Sequence, residues 1–249
     1  MLARVGLVAK GFSFGIVGAL AVKLAVGGGG KTTSRPGALQ TLAQHSFGKV
    51  ALVLLAIGFA AYATWRFVEA FVDSGWAKRA GYVARGLIYV GLTFSTIKIL
   101  TGSGGGASQN QKAHHTAATI LSWPGGTWIV GVAGVAVAGV GLWNLYRGIS
   151  RKFEEKWRKG EMSQRAGRWG GRVGLVGHIA RAVVFTLIGI FVIKAAVDYD
   201  SREAIGLDGA LQKLADAGYG PYLLGVTAVG LVSYGLFCLV DARYRDVSR

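Results

Sequence analysis

The sequence predicts an all-α membrane protein: six transmembrane helices form three parallel hairpin repeats related by a pseudo-threefold axis, with short interfacial helices in the external loops. Hydrophobic residues make up 52% of the chain, while charged residues make up 16%, below the ~25% of a typical soluble domain. Each of six apolar stretches is long enough to cross a hydrocarbon core of ~30 Å. These stretches cover residues 5–26, 50–72, 82–100, 128–146, 179–197 and 222–240.

The first helix of each repeat, helix A, opens on a shared motif. It reads Gly-Leu-Val-Ala-Lys-Gly at 6–11, Gly-Tyr-Val-Ala-Arg-Gly at 81–86 and Gly-His-Ile-Ala-Arg-Ala at 177–182. Each motif therefore carries a basic residue at its fifth position, and a lysine follows near the other end of each helix without a gap. The basic residues are Lys10, Arg85 and Arg181 at the first position and Lys23, Lys98 and Lys194 at the second.

The second helix, helix B, aligns closely in the outer repeats, where Tyr62 matches Tyr234 and Glu69 matches Asp241. The middle copy instead has Val140 and Arg147 at these positions. Segments 37–43 and 209–215 share Gly-Ala-Leu-Gln-x-Leu-Ala with helical spacing, which predicts interfacial helices between A and B. We therefore divide the chain into repeat 1 (1–74), repeat 2 (75–150), a basic linker (151–172) and repeat 3 (173–249).

The basic residues predict the orientation of the chain. Two spans per repeat mean that every copy enters from the same side, and 19 of the 28 lysines and arginines lie on the side of the termini and B-to-A linkers. The positive-inside rule makes that side, with both termini, cytoplasmic. We interpret the net charge of +16 as a determinant of membrane orientation and as a sign of contact with anionic lipids, not of nucleic-acid binding. Arg4 and the apolar run after it imitate a signal peptide, but their internal counterparts predict that the segment is retained.

The motifs above resemble a bacterial membrane-protein family of unknown function, numbered 1206, which has three tandem two-helix repeats. The resemblance rests on the opening of helix A and on Tyr-Gly-Leu-Phe at 234–237 before Ala-Arg-Tyr-Arg at 242–245. It covers nearly the whole chain, and it implies a fold and a location in the bacterial plasma membrane without implying a reaction. The middle copy departs from the pattern at Val140 and Arg147.

Two local matches to known chemistry are weak. Residues 25–32 approximate a phosphate-binding loop, but they follow a membrane helix and not a strand, so a flexible glycine turn is the favoured interpretation. His45 and the pair His114 and His115 could be considered for zinc or copper, yet their spacing favours solvated loops. Cys238 is the single cysteine. We expect no cofactor, no metal and no catalytic residues.

The basic positions of helix A are the candidate sites for an anion or a lipid headgroup. Lys10 and Lys23 lie about 20 Å apart along a helix, so the simplest interpretation is that each span is anchored at both interfaces. The alternative gathers Lys10, Arg85 and Arg181 into one ring and the three lysines into another. Glu69 and Asp241 are candidate ion-pair partners for Lys10 and Arg181. In the middle repeat, Arg147 stands where the outer repeats have these acids, and it lies beside Arg85. This leaves two positive charges without an acid partner, with which Glu154 or Glu155 could pair.

The sequence leaves three functional classes open. The favoured class is a non-enzymatic scaffold or accessory component that binds other membrane proteins and anionic lipids. The alternative is a channel or transporter for a small, anionic solute along the pseudo-threefold axis, although the sequence motif of three-repeat carriers is absent after Pro36, Pro124 and Pro221. A membrane enzyme is disfavoured because no paired carboxylates, activated nucleophile or ligand cluster is present.

Overall fold

The six predicted spans are present in the computed structural model, which describes residues 2–26, 48–72, 75–102 and 109–246. The α-helices in these ranges are α1 (Leu2–Ala25), α2 (Gly48–Val72), α3 (Trp76–Leu100), α4 (Gln109–Leu121), α5 (Gly126–Ile149), α6 (Gln164–Val197), α7 (Leu207–Ala215) and α8 (Gly220–Tyr244). Short 3-10 helices lie at Glu154–Lys156, Lys159–Glu161 and Ser201–Glu203. Among the α-helices described, all except α4 and α7 are long and apolar enough to cross a membrane. The chain is a multi-pass membrane protein.

The spanning helices form an incomplete ring in which A and B helices alternate. The order around the ring is α3, α2, α1, α8, α6 and α5. The most extensive packing joins an A helix to the B helix of the preceding repeat, as in α1 with α8, α3 with α2 and α6 with α5. This cyclic order agrees with the pseudo-threefold arrangement expected from the repeats. We call the end at which α1, α3 and α6 begin the basic end, and the opposite end the loop end.

Glycines permit the close packing between helices of successive repeats. A Cβ added at Gly134 would lie 2.8 Å from the backbone nitrogen of Ile193, and one added at Gly141 would lie 2.7 Å from that of Thr186. At Gly11 the added atom would lie 2.8 Å from the carbonyl oxygen of Gly235. Small side chains let membrane helices approach at such distances. The glycine-rich faces of α1 and α5 are therefore used for packing within the bundle.

The ring is open within the middle repeat, where α3 and α5 do not pack extensively in the part of the chain that is described. In the outer repeats, a Cβ added at Gly58 would collide with Ala9, and one added at Gly230 would collide with Ala180. The matching position in the middle repeat is Ala136, which carries that extra atom. A larger side chain at a close glycine-to-alanine crossing forces the helices apart, so this replacement opposes closure of the ring.

A second contact between helices A and B is lost in the middle repeat, because Val140 stands where the outer repeats have Tyr62 and Tyr234. Gly6 packs against Tyr62, and a Cβ at Gly177 would lie 2.6 Å from the Cα of Tyr234. Gly81, the third member of this set, faces open space with no atom within 4 Å of an added Cβ. The middle repeat therefore lacks both contacts that join A to B in the outer repeats.

The loop end contains the predicted interfacial helix of repeat 3, observed as α7 with the bounds Leu207–Ala215. The middle repeat has a longer helix there, α4, and the side chain of Asn110 accepts a hydrogen bond of 3.1 Å from the backbone of Gly206. Tyr199 donates to the carbonyl oxygen of Leu121 over 2.8 Å. Repeats 2 and 3 are thus joined at this end. The matching segment of repeat 1, 37–43, lies outside the described residues.

Candidate functional site: a cation cluster at the basic end

The candidate site is a group of basic side chains that the repeats bring together near the basic end. We call it the cation cluster, and its members are Lys10, Arg66, Arg85, Arg147, Arg181 and Arg245. These cations lie close enough to repel one another: Arg85 is within electrostatic range of Arg66 and Arg181, and Arg147 is within range of Arg181 and Arg245. Lys10 lies near the same residues as two other members of the cluster. Lys10 and Arg66 are both close to Tyr62, and Lys10 and Arg181 are both close enough to His178 to affect it electrostatically.

Lys10 lies between two symmetry-equivalent tyrosines because α1 packs between α2 and α8. Its Nζ atom is 5.7 Å from the ring centroid of Tyr62 and 5.3 Å from that of Tyr234. Aromatic faces attract cations at these distances. Tyr62 and Tyr234 are 1% and 3% exposed, so Lys10 lies between two buried aromatic rings, one from α2 and one from α8.

Arg181 also contacts Tyr234 and reaches across the bundle to α1. One of its terminal nitrogens donates to the Tyr234 hydroxyl over 2.6 Å, and its guanidinium carbon lies 4.4 Å from the ring centroid. The same group lies 5.5 Å from the ring of Phe14 and 5.1 Å from that of Phe185. Its buried Nε atom has no hydrogen-bond partner among the described residues. Arg181 therefore retains a hydrogen-bond donor for a further group.

Arg66 belongs to the cluster although sequence analysis did not select it. This side chain is 6% exposed and donates to Glu69 and to the Tyr62 hydroxyl, on its own helix. Its counterparts in the other repeats, Asn144 and Cys238, are also buried. The sequence contained a signal for this residue: Tyr62 lies four positions before Arg66, and Glu69 lies three positions after it. These spacings place all three side chains on one helix face.

The carboxylates that were expected to pair with Lys10 and Arg181 pair instead with arginines three or four positions away in sequence. Glu69 forms an ion pair with Arg66, and Asp241 lies 2.9 Å from Arg245. Asp241 also accepts a hydrogen bond of 3.0 Å from the indole nitrogen of Trp157. An arginine three or four positions away can reach a carboxylate without crossing between helices, which explains this choice of partner.

Arg85 and Arg147 belong to the two helices that border the open side of the ring. Arg85 is exposed, and its guanidinium lies 6.0 Å from the ring centroid of Tyr82. Arg147 is partly buried near the end of α5. Neither forms an ion pair with a carboxylate of the described residues, and Glu154, a partner considered for this pair, lies 3.6 Å from Arg151. The middle repeat thus contributes two cations without matching acids.

The second predicted ring of lysines lies at the loop end, where its three members have different surroundings. Lys194 forms ion pairs with Glu203 at 2.7 Å and with Asp198 at 3.5 Å. Lys98 lies 5.0 Å from the ring of Phe94, while Lys23 is exposed near the end of α1. These differences suit separate anchors at an interface better than a shared ligand site.

The linker between repeats 2 and 3 folds against the basic end. Phe153 is 1% exposed and stacks on His178 with a centroid separation of 4.9 Å. Arg158 donates from its backbone to the carbonyl oxygen of Tyr244 over 2.8 Å. Loss of hydration beside the bundle lowers the pKa of Lys156, and the positive charges of Arg245 and Arg147 lower it further. The linker therefore places additional positive charge beside the cation cluster.

The remaining sequence candidates do not gather into a second site. Residues 27–32 of the predicted glycine turn (25–32) and His45 lie outside the described residues. His114 and His115 lie on α4 at the loop end. Within the described part of the chain, no three histidine, cysteine, aspartate or glutamate side chains are grouped as a metal site would require.

The comparisons with known proteins agree with the threefold organisation. The family described as "Domain of Unknown Function (DUF1206)" matches three times, at residues 5–73, 80–151 and 176–245. A Bacillus subtilis (strain 168) protein described as "Uncharacterized protein YxxB" is 28% identical over 253 residues, covering 98% of this chain and 90% of that protein. Neither description indicates an enzymatic family, and no solved structure matches. Since the three matches account for most of the sequence, the chain belongs to the DUF1206 family of membrane proteins.

Proposed function

We propose that this protein is a non-enzymatic membrane component that binds the phosphate of an anionic phospholipid in the cation cluster. The observation that carries the proposal is the position of Arg85 and Arg147, which border the open side of the ring without carboxylate partners. A headgroup that enters between α3 and α5 would meet both arginines. Binding of lipids, and through them of other membrane proteins, is the accessory role that the sequence favours.

The charge balance of the cluster supports an anionic ligand. Its six cations face two buried or partly buried carboxylates, and both carboxylates already have arginine partners in Arg66 and Arg245. Excess charge near hydrocarbon is costly unless a partner or water offsets it. A phosphate would offset this charge, and arginine is suited to phosphate because its planar group can donate two parallel hydrogen bonds.

The open side of the ring supports a ligand from the bilayer. A closed ring would admit ligands mainly from its two ends, whereas a gap between α3 and α5 gives access from the surrounding lipid. Exposed apolar side chains on both helices, such as Leu87 and Leu142, offer surfaces for acyl chains. We therefore favour a phospholipid over a soluble anion.

The proposal is tested by measuring phospholipid bound to the purified protein by native mass spectrometry. We expect phosphatidylglycerol to be retained in preference to phosphatidylcholine, and the double variant Arg85→Gln, Arg147→Gln to lose at least tenfold in affinity, since each charge-assisted contact contributes ~1.5 kcal/mol or more. The control is Lys23→Gln, Lys98→Gln, which removes the same charge at the loop end. Equal retention by the two double variants would contradict the proposal.

The alternative is an anion channel or transporter. It is favoured by one observation, the equivalent positions of Lys10, Arg85 and Arg181 around the pseudo-threefold axis. The same purified protein in liposomes distinguishes the two functions. Flux of chloride or inorganic phosphate that depends on Arg85 and Arg147 would favour transport, whereas the lipid-binding function predicts retention of lipid without flux.

A further inference from the structure

A second basic surface lies on the outside of the bundle, at the start of α6. This helix begins at Gln164, well before the apolar stretch that opens at 179, and Ser163 caps it by accepting a hydrogen bond of 3.2 Å from the backbone of Ala166. A groove of about 440 Å³ lies on this extension. We call it the α6 groove, and it is lined by Arg165, Ala166, Arg168, Trp169 and Arg172.

The α6 groove continues into the face of α6 that is exposed in the span. Its basic residues follow spacings of three, four and seven, which place them on one side of a helix. The same spacing continues through Val176 and Ile179, which are 44% and 38% exposed. A single stripe therefore changes from arginine and tryptophan to aliphatic side chains as it enters the membrane.

Packing on the opposite side of α6 determines which way this stripe faces. A Cβ added at Gly174 would lie 2.6 Å from the ring of Phe153, and one at Gly170 would lie 3.1 Å from that of Trp157. Because the linker occupies the glycine face, the arginine face is directed outward.

The three arginines of the α6 groove are available to a ligand. All are exposed, and none forms a hydrogen bond or ion pair with the described residues. Nearby basic residues differ, since Arg158 pairs with Glu161 and Arg151 with Glu154. Trp169 is 52% exposed, although tryptophan is a large, mostly apolar side chain. Tryptophan is enriched at membrane interfaces, where its ring lies among headgroups.

We propose that the α6 groove binds the phosphate of an anionic phospholipid in the leaflet at the basic end. The arginines contact the phosphate, Trp169 lies at the level of the headgroup, and the acyl chains run along Val176 and Ile179. The aliphatic continuation of the stripe favours a phospholipid over inorganic phosphate. This site shares no residue with the cation cluster and does not depend on the function proposed above.

Trp169 provides a local readout of lipid bound at this site. The experiment adds phosphatidylglycerol with brominated acyl chains to the full-length protein in detergent. The signal of Trp169 is the difference in tryptophan fluorescence between the native protein and Trp169→Phe. We expect this signal to be quenched by phosphatidylglycerol at concentrations well below those needed with brominated phosphatidylcholine.

The triple variant Arg165→Gln, Arg168→Gln, Arg172→Gln is expected to weaken this quenching at least tenfold, because each basic side chain near an anionic surface contributes about fivefold in affinity. Lys98→Gln, Lys112→Gln, Lys213→Gln is the matched control at the loop end and should leave it unchanged. Equal weakening in both triple variants, or no weakening in either, would overturn the proposal.

Two further measurements separate this site from its alternatives. The variant Arg85→Gln, Arg147→Gln should leave the Trp169 signal intact even if it removes lipid from the cation cluster, and loss of the signal there would overturn the assignment to α6. Millimolar inorganic phosphate should not displace the lipid. Full displacement by inorganic phosphate would show a soluble-anion site and overturn the phospholipid assignment.

Discussion

At the scale of single residues, Lys10 and Asp241 show two ways in which the bundle accommodates charge. Lys10 lies between the rings of Tyr62 and Tyr234, which attract a cation without neutralising it. Asp241 is 4% exposed and has two charged or polar partners, Arg245 and Trp157. The first arrangement leaves positive charge for a ligand, whereas the second is a satisfied structural contact.

Substitution of Asp241 tests whether its contacts with Arg245 and Trp157 stabilise the fold. Replacement by alanine leaves the guanidinium of Arg245 without its carboxylate and the indole of Trp157 without an acceptor. Breaking a buried pair costs about 3 kcal/mol, so we expect a marked fall in melting temperature for the purified protein in detergent. Asp200→Ala is the control, since Asp200 pairs with the exposed Arg202 at the loop end. Similar melting temperatures for the two variants would argue against a structural role for Asp241.

The residue scale also shows what sequence reasoning could find in the candidate site. The repeat motif identified Lys10, Arg85 and Arg181, and the missing acid identified Arg147, because each statement compares equivalent positions. Arg66 and the indole of Trp157 were missed. Arg66 has no basic counterpart in the other repeats, and the contact between Trp157 and Asp241 joins residues 84 positions apart.

At the scale of helices, a methyl group at the A-to-B crossing is one of two differences that oppose closure of the ring in the middle repeat, beside the loss of the tyrosine contact at Gly81. Gly58 and Gly230 occupy this position in the outer repeats, and Ala136 occupies it in the middle repeat. Close packing at this crossing depends on the absence of a side chain.

Replacing glycine by alanine at this crossing in an outer repeat should weaken the packing of helix A against helix B, as in the middle repeat. Gly230→Ala brings a methyl group into collision with Ala180, and overpacking of this kind costs about 1–3 kcal/mol. The measurement is the melting temperature in detergent. Gly139→Ala is the control, because an added Cβ there meets no atom within 4 Å and alanine is the better helix former. A Gly230→Ala variant as stable as the control would contradict this explanation of the gap.

The start of α6 was placed too late by sequence reasoning. Residues 164–178 are rich in glycine and arginine, and glycine has a low helix propensity, so the segment was assigned largely to a linker. Phe153 and Trp157 pack against its glycines and so stabilise the helix through contacts that composition does not reveal. Helix stability in proteins depends more on such packing than on propensity.

At the scale of the whole molecule, the two ends of the bundle differ in charge. The basic end contains the cation cluster, the linker and the α6 groove, whereas the ion pairs Lys194–Glu203 and Arg202–Asp200 lie at the loop end. The positive-inside rule predicts that the basic end faces the cytoplasm. Both proposed lipid sites would then lie in the inner leaflet, where anionic headgroups are attracted to basic residues.

This orientation is tested by labelling introduced cysteines in intact bacteria. Gly160→Cys lies in the linker and Gly218→Cys lies at the loop end, and neither new Cβ meets an atom within 4 Å. We expect a membrane-impermeant maleimide to label Gly218→Cys before permeabilisation and Gly160→Cys only afterwards. The native Cys238 is 1% exposed and provides the background control. The reverse order of labelling would invert the assigned topology.

The sequence by itself determined the six spans, the three repeats and the positions at which the middle repeat is exceptional. These features are local or periodic: hydrophobicity decides whether a segment can lie in lipid, and equivalent positions can be compared without coordinates. The tertiary structure alone decided that Trp157 of the linker donates to Asp241, that α3 and α5 leave the ring open, and that one face of α6 is directed outward. These features depend on distances between segments remote in sequence, where a single methyl group or aromatic ring determines which helices can touch.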